Sequence, residues 1–147
     1  MSTNVIKSFR GKYEFLSNFY PVFVEYEGVR YPSVESAFQA AKSKDPDIRK
    51  WFLCCSGPSH AKKIGRKVKL REDWEDIKVD VMYELIRNKF KNLSLKKLLL
   101  ETEDAELIEG NNHGDKFWGM VNGEGKNMLG KILMDVREEL KYEDISK

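Results

Sequence analysis

Two long stretches repeat their apolar residues at helical spacing, and this limits the possible folds more than any other feature. Between Trp74 and Lys91, Ile77, Val81 and Leu85 together with Met82, Ile86 and Phe90 make one broad apolar face. Between Asn127 and Tyr142, Leu129, Ile132, Leu133, Val136 and Leu140 recur at three- and four-residue spacing. Strands would have to alternate instead, and only short segments do. Val22–Tyr26 and Val29–Tyr31 flank Glu27-Gly28, a hairpin signal. Val68–Leu70 and Ala105–Ile108 read as further short extended pieces. Three shorter helices carry start signals: Ser33 ahead of the Val34–Ala41 run, Asp45-Pro46 for a helix to about Cys54, and Pro58 for a basic helix ending near Gly65. Ser94 reads as the cap of a fourth, Leu95 to Glu101. The expected fold is a helix-dominated α+β domain with a small sheet or hairpin. One domain is expected over 1–147, with its core at about 9–142 and residues 1–8 loose.

Composition narrows the class. The 147 residues are 41% hydrophobic and 12% aromatic, which suits a globular chain and not a disordered one. Charged residues reach 34%, yet Lys+Arg 26 against Asp+Glu 24 leaves a net +2, no basis for coating a duplex. No segment has the zones of a signal peptide and no apolar run reaches membrane length, so a cytoplasmic protein is expected. Cys54 and Cys55 are adjacent, a geometry that disfavours a bridge, and read as small buried residues of a reduced protein. With His60 and His113 distant from them, the spacing argues against a zinc site.

The run Tyr31–Lys42 contains the first candidate site. Glu35, Gln39 and Lys42 stand at i, i+4 and i+7, sharing a face with Phe38 and Ala41. A carboxylate, an amide and an ammonium on a partly apolar stripe point to chemistry. The plainer explanation is that the helix dipole favours an acid in a first turn.

Gly110–Gly125 holds five glycines, three asparagines and Trp118, and reads as a long loop. Asp115 within it is either a functional acid or a turn former. Lys126 and Asn127 sit where the last helix begins, and a helix N-terminus can receive an anion. The Gly123-Glu124-Gly125 approach lacks the third glycine of a dinucleotide fingerprint, so an ordinary loop-to-helix joint is the more frequent explanation. Trp74 either stacks on a planar ligand or plugs the core. The cations Lys62, Lys63, Arg66, Lys67, Lys69 and Arg71 either steer a phosphorylated ligand or form a solvated surface.

Six stretches in order give the chain its resemblance: Leu16–Pro21, Tyr31–Lys42, Gly65-Arg66, Asp73-Trp74 with Lys78 and Met82, Asp115–Gly119, and Gly125–Gly130. The chain thereby resembles the NADAR family over roughly Phe9 to Leu140. Ser36-Ala37 departs from it, since many members carry His and an aromatic there. The resemblance implies cleavage of an N-glycosidic bond at a ribose C1′ without metal or cofactor. Implied substrates are reactive ribosylamino-pyrimidine phosphates of riboflavin synthesis or, alternatively, ADP-ribose on guanine in nucleic acid. A non-catalytic ADP-ribose or NAD-binding module is the third alternative.

Under this resemblance Glu35, ionised in its first turn, would stabilise the sugar cation and activate water, with Asp115 as second carboxylate. Trp74 and Trp118 would stack on or enclose the base, and Phe19 and Gly119 are further substrate-binding candidates. Asn18, Gln39 and Asn127 would fix hydroxyl or base edges. Lys42, Lys78 and Lys126 are the phosphate candidates. The implied partner is a small phosphorylated riboside, with nucleic acid only as a modified substrate.

Overall fold

In the computed structural model, which describes residues 4–145, the chain divides into two units. One joins the residues up to Ser17 with those from Phe90 onward; the other is Asn18–Lys89. The strands are β1 (Val5–Ile6), β2 (Val24–Tyr26), β3 (Val29–Tyr31) and β4 (Glu106–Leu107). The helices are α1 (Val34–Ala41), α2 (Pro46–Lys50), α3 (Pro58–Gly65), α4 (Trp74–Lys89), α5 (Leu93–Leu100) and α6 (Met128–Ile145). Short 3-10 turns occupy Gly11–Leu16 and Trp51–Leu53. The helix-rich α+β architecture is the one expected.

In the Asn18–Lys89 unit, β2 and β3 form the hairpin, with Val24 opposite Tyr31 and Tyr26 opposite Val29. Glu27 and Gly28 both take positive φ, 47° and 84°, the backbone a two-residue hairpin loop demands. Val24, Tyr26 and Tyr31 point inward, whereas Glu25 and Arg30 face water. Ser33 caps α1, its hydroxyl accepting the Ser36 N–H at 3.0 Å. All eight residues of α1 are buried. Such a helix needs packing on every side, and α1 has it from α2, α3, α4 and the hairpin. Its alanines, Ala37, Ala40 and Ala41, allow those neighbours to approach closely. Arg71 closes its C-terminal end, donating its backbone N–H to the Lys42 carbonyl at 2.8 Å.

Three expectations for this unit fail. Val68–Leu70 is not a strand: the N–H groups of Lys67 and Val68 turn back to the carbonyls of Ile64 and Gly65, unwinding α3 instead. Cys54 is exposed rather than buried, because the apolar anchor of that turn is Phe52. The helix begun at Asp45 stops at Lys50, and a 3-10 turn completes it.

In the other unit β1 pairs in parallel with β4, Val5 opposite Glu106 and Ile6 opposite Leu107. Residues 5–6 are therefore not part of a loose end, while residues 1–3 of that expected end lie outside the described residues. α5 is capped by Asn92, whose side chain accepts the Leu95 N–H at 3.1 Å, and so starts before the expected Ser94. α6 packs on α5 and β4, burying Leu129, Ile132, Leu133, Val136 and Leu140 as its periodicity requires.

Candidate functional site

The buried helix α1 presents the candidate carboxylate. Glu35 is 7% exposed and Gln39 5%. One turn apart, they meet: Gln39 Nε2 donates to Glu35 Oε1 at 2.8 Å. The Glu35 backbone N–H donates to the Asn18 carbonyl at 3.1 Å, which ties the preceding Asn18-Phe19 segment to the first turn of α1. Asn18 Nδ2 lies 3.6 Å from Met82 Sδ of α4, and its Oδ1 is buried without a hydrogen-bond partner among the described residues. Phe19 keeps 37% of its surface exposed, with Lys62 Nζ 6.0 Å from its ring centre. At the C-terminal end of α1, Lys42 Nζ reaches the Gly65 carbonyl at 3.4 Å.

Lys42 therefore lies beside the end of α3, where Lys62 and Arg66 stand at i and i+4. Burial holds the Lys42 ammonium below its ordinary pKa; Glu35 pulls it upward, and Arg66 and Lys62 press it further down. Asn18, Phe19, Glu35, Gln39 and Lys42 are thus brought together, with Lys62 and Arg66 added from the ambiguous basic cluster. Arg71 of that cluster is structural, pairing with Asp73 at 2.7 and 3.2 Å.

Two further candidates of this unit make contacts within it. Trp74 is 4% exposed and packs 5.0 Å from the Phe38 ring at 54°, so it is a core plug and not a stacking platform. Lys78 is held by Glu75, one turn back on α4, at 2.5 Å.

Asp115, Trp118, Gly119, Lys126 and Asn127 belong to the other unit. There the polar side chains are spent on backbone. Asp115 Oδ1 accepts the N–H groups of Phe117 at 3.1 Å and Trp118 at 2.9 Å, the geometry of a turn former. Asn111, which no sequence reading singled out, brackets Asp115 by accepting its N–H at 3.0 Å and donating to its carbonyl at 2.9 Å. Its signal lay in the Asn-Asn-His-Gly run, turn chemistry of the same kind.

Asn127 likewise spends its side chain on backbone. It is 6% exposed, its Oδ1 accepts the Glu109 N–H at 3.0 Å, and its Nδ2 donates to the Leu107 carbonyl at 2.9 Å. The start of α6 does not offer its first N–H groups to an anion. Those of Met128 and Leu129 donate to the carbonyls of Phe117 and Trp118, at 3.0 and 2.9 Å. Lys126 lies 5.6 Å from the Phe117 ring, and Phe117 and Trp118 meet edge to face at 4.8 Å. Gly119 is buried, and a side chain there would strike the Glu109 carbonyl.

The comparisons with known proteins agree with this arrangement of motifs. A NADAR domain model matches residues 6–141. The chain belongs to the NADAR family. It is 42% identical over 130 residues to a riboflavin biosynthesis protein of Vibrio vulnificus, covering 86% of this chain but only 35% of that longer protein. To the N-glycosidase YbiA of Escherichia coli it is 38% identical over 131 residues, 86% of this chain and 81% of YbiA. The solved NMR structure of E. coli YbiA superposes with a TM-score of 0.85 and 34% identity, over 100% of this chain and 91% of YbiA. The chain thus shares its helix-rich fold with YbiA. No helix among the described residues is long and apolar enough to cross a membrane.

Proposed function

We propose that the chain is an N-glycosidase that hydrolyses the ribosyl C1′–N bond of a phosphorylated N-riboside. One observation carries the reading: a buried carboxylate, Glu35, is held by the Gln39 amide while Lys42, Lys62 and Arg66 gather at the far end of the same helix. The names of the relatives support the bond class and, through riboflavin biosynthesis, a ribosylamino-pyrimidine phosphate as substrate.

Cleavage moves the C1′–N electron pair onto nitrogen and leaves oxocarbenium character at C1′. Glu35 offsets that positive charge. It then takes a proton from the water that bonds to C1′ and passes it to the departing nitrogen, which leaves ribose phosphate and the free amine. The three cations answer the phosphate charge. Lys78 and Lys126 are left out of that role, the first because of its ion pair with Glu75, the second because it rests on Phe117. Phe19, 37% exposed, offers its ring to the base. Asp115 is assigned to shaping that loop and not to the reaction.

The test offers the protein a ribosylamino-pyrimidine phosphate and, separately, an oligonucleotide bearing ADP-ribosylated guanine. Release of ribose phosphate from the first at the higher rate is expected. Faster turnover of the second would replace the proposed substrate class.

A further inference from the structure

Gly65 ends α3 with an ordinary helical backbone: its φ is not among the positive values, so nothing in the chain path demands glycine. Its missing side chain is required for another reason. A Cβ built there would lie 1.9 Å from Gln39 Oε1, 2.5 Å from Cδ and 2.9 Å from Cγ, and from no other group as closely. The space above Gly65 is filled by the Gln39 amide, the amide that donates to Glu35. Gln39 Oε1 is buried and accepts no hydrogen bond among the described residues. An orphan acceptor of this kind has no bond of its own to hold it, so its place is set by shape and by the bond that Nε2 makes.

We propose that Gly65 is a positioning residue for the reaction: by leaving room for the Gln39 amide, it locks the Glu35 carboxylate in one orientation. The inference rests on the assignment of Glu35 above and deepens it. With a methyl group at 65, the amide must swing away, since the obstructing atoms are the end of a flexible side chain and not backbone. The fold survives and the Glu35–Gln39 bond does not. The role is specific to the pair: Gln39→Ala removes all three atoms that lie nearest the added methyl.

The experiment compares Gly65→Ala, Gln39→Ala and the double variant. In the first arm, NMR of the side-chain amides follows the Gln39 Nε2–H signal, which Glu35→Gln identifies by shifting it. Gly65→Ala is expected to displace that signal while the backbone spectrum stays folded. In the second arm, turnover of a ribosylamino-pyrimidine phosphate is measured. Gly65→Ala alone should lower kcat on the order of 10²-fold, the scale of a displaced reacting group, with little change in KM. Added to Gln39→Ala, it should change kcat by less than about twofold. An unmoved Gln39 signal overturns the inference, whatever the activity. So does an equal loss in both backgrounds, which would place the effect in α3 packing. A wild-type protein inactive on every N-riboside would instead refute the proposed function, and the amide signal would still decide whether Gly65 holds Gln39.

Discussion

The polar side chains of α1 and those of the 111–127 loop look alike in sequence and behave oppositely in the structure. In α1, Glu35 meets another side chain, Gln39, with the Lys42 cation at the end of the same helix. In the loop, Asn111, Asp115 and Asn127 each bind backbone. A side chain that satisfies backbone is scaffolding, because its bonds replace those the chain would otherwise lose. A buried carboxylate that meets a side chain and not backbone costs solvation, a cost the proposed function ascribes to the reaction. Substitutions in the loop should therefore lower stability, and those in α1 should lower turnover.

The largest stability effect is expected at Asn127. Asn127→Ala strands the Glu109 N–H and the Leu107 carbonyl, and should cost about 2–4 kcal/mol in chemical denaturation. A loss of turnover without that destabilisation would return Asn127 to the substrate. Asp115 sharpens the contrast further. Asp115→Ala removes the acceptor for two N–H groups and should cost about 1 kcal/mol. Asp115→Asn keeps an oxygen acceptor and should leave both stability and turnover nearly intact. If Asp115→Asn abolishes turnover, the negative charge works in the reaction and the loop is more than a scaffold.

The smallest effect is at Lys42. Its pKa in the folded chain is lowered, first by burial, so folding releases its proton before the unfolded chain does. Between the lowered value and 10.5 the unfolded state binds more protons, and stability from this group rises with pH across that alkaline window. Below the window the partly desolvated ammonium carries its full penalty. Lys42→Met should flatten the alkaline rise and slightly stabilise the neutral protein while weakening binding of phosphorylated substrate. An unchanged pH profile of stability would mark Lys42 as an ordinary solvated cation.

What the sequence made legible was local. Ser33 and Asp45 cap helices through partners two or three residues away, and the hairpin turn is two residues long. The broad apolar faces of α4 and α6 announce themselves by period alone. Glu35 and Gln39 were legible together because a helix sets their spacing. Long-range pairings were not: β1 finds β4 a hundred residues on, in strands too short to carry a pattern. Trp74 could not be told from a ligand platform until Phe38 was seen against it. Asn92 outcompeted Ser94 as cap, a choice between equally good capping residues two positions apart. The role of Gly65 depends on Gln39 across two helices, and no spacing rule reaches it.

The most direct measurement is the turnover of Glu35→Gln on a ribosylamino-pyrimidine phosphate, beside its thermal unfolding. Unfolding near the wild-type temperature with turnover lowered by about 10²-fold or more is expected, since the amide keeps the volume and loses the charge. A folded Glu35→Gln protein that turns over at the wild-type rate would remove Glu35 from the reaction.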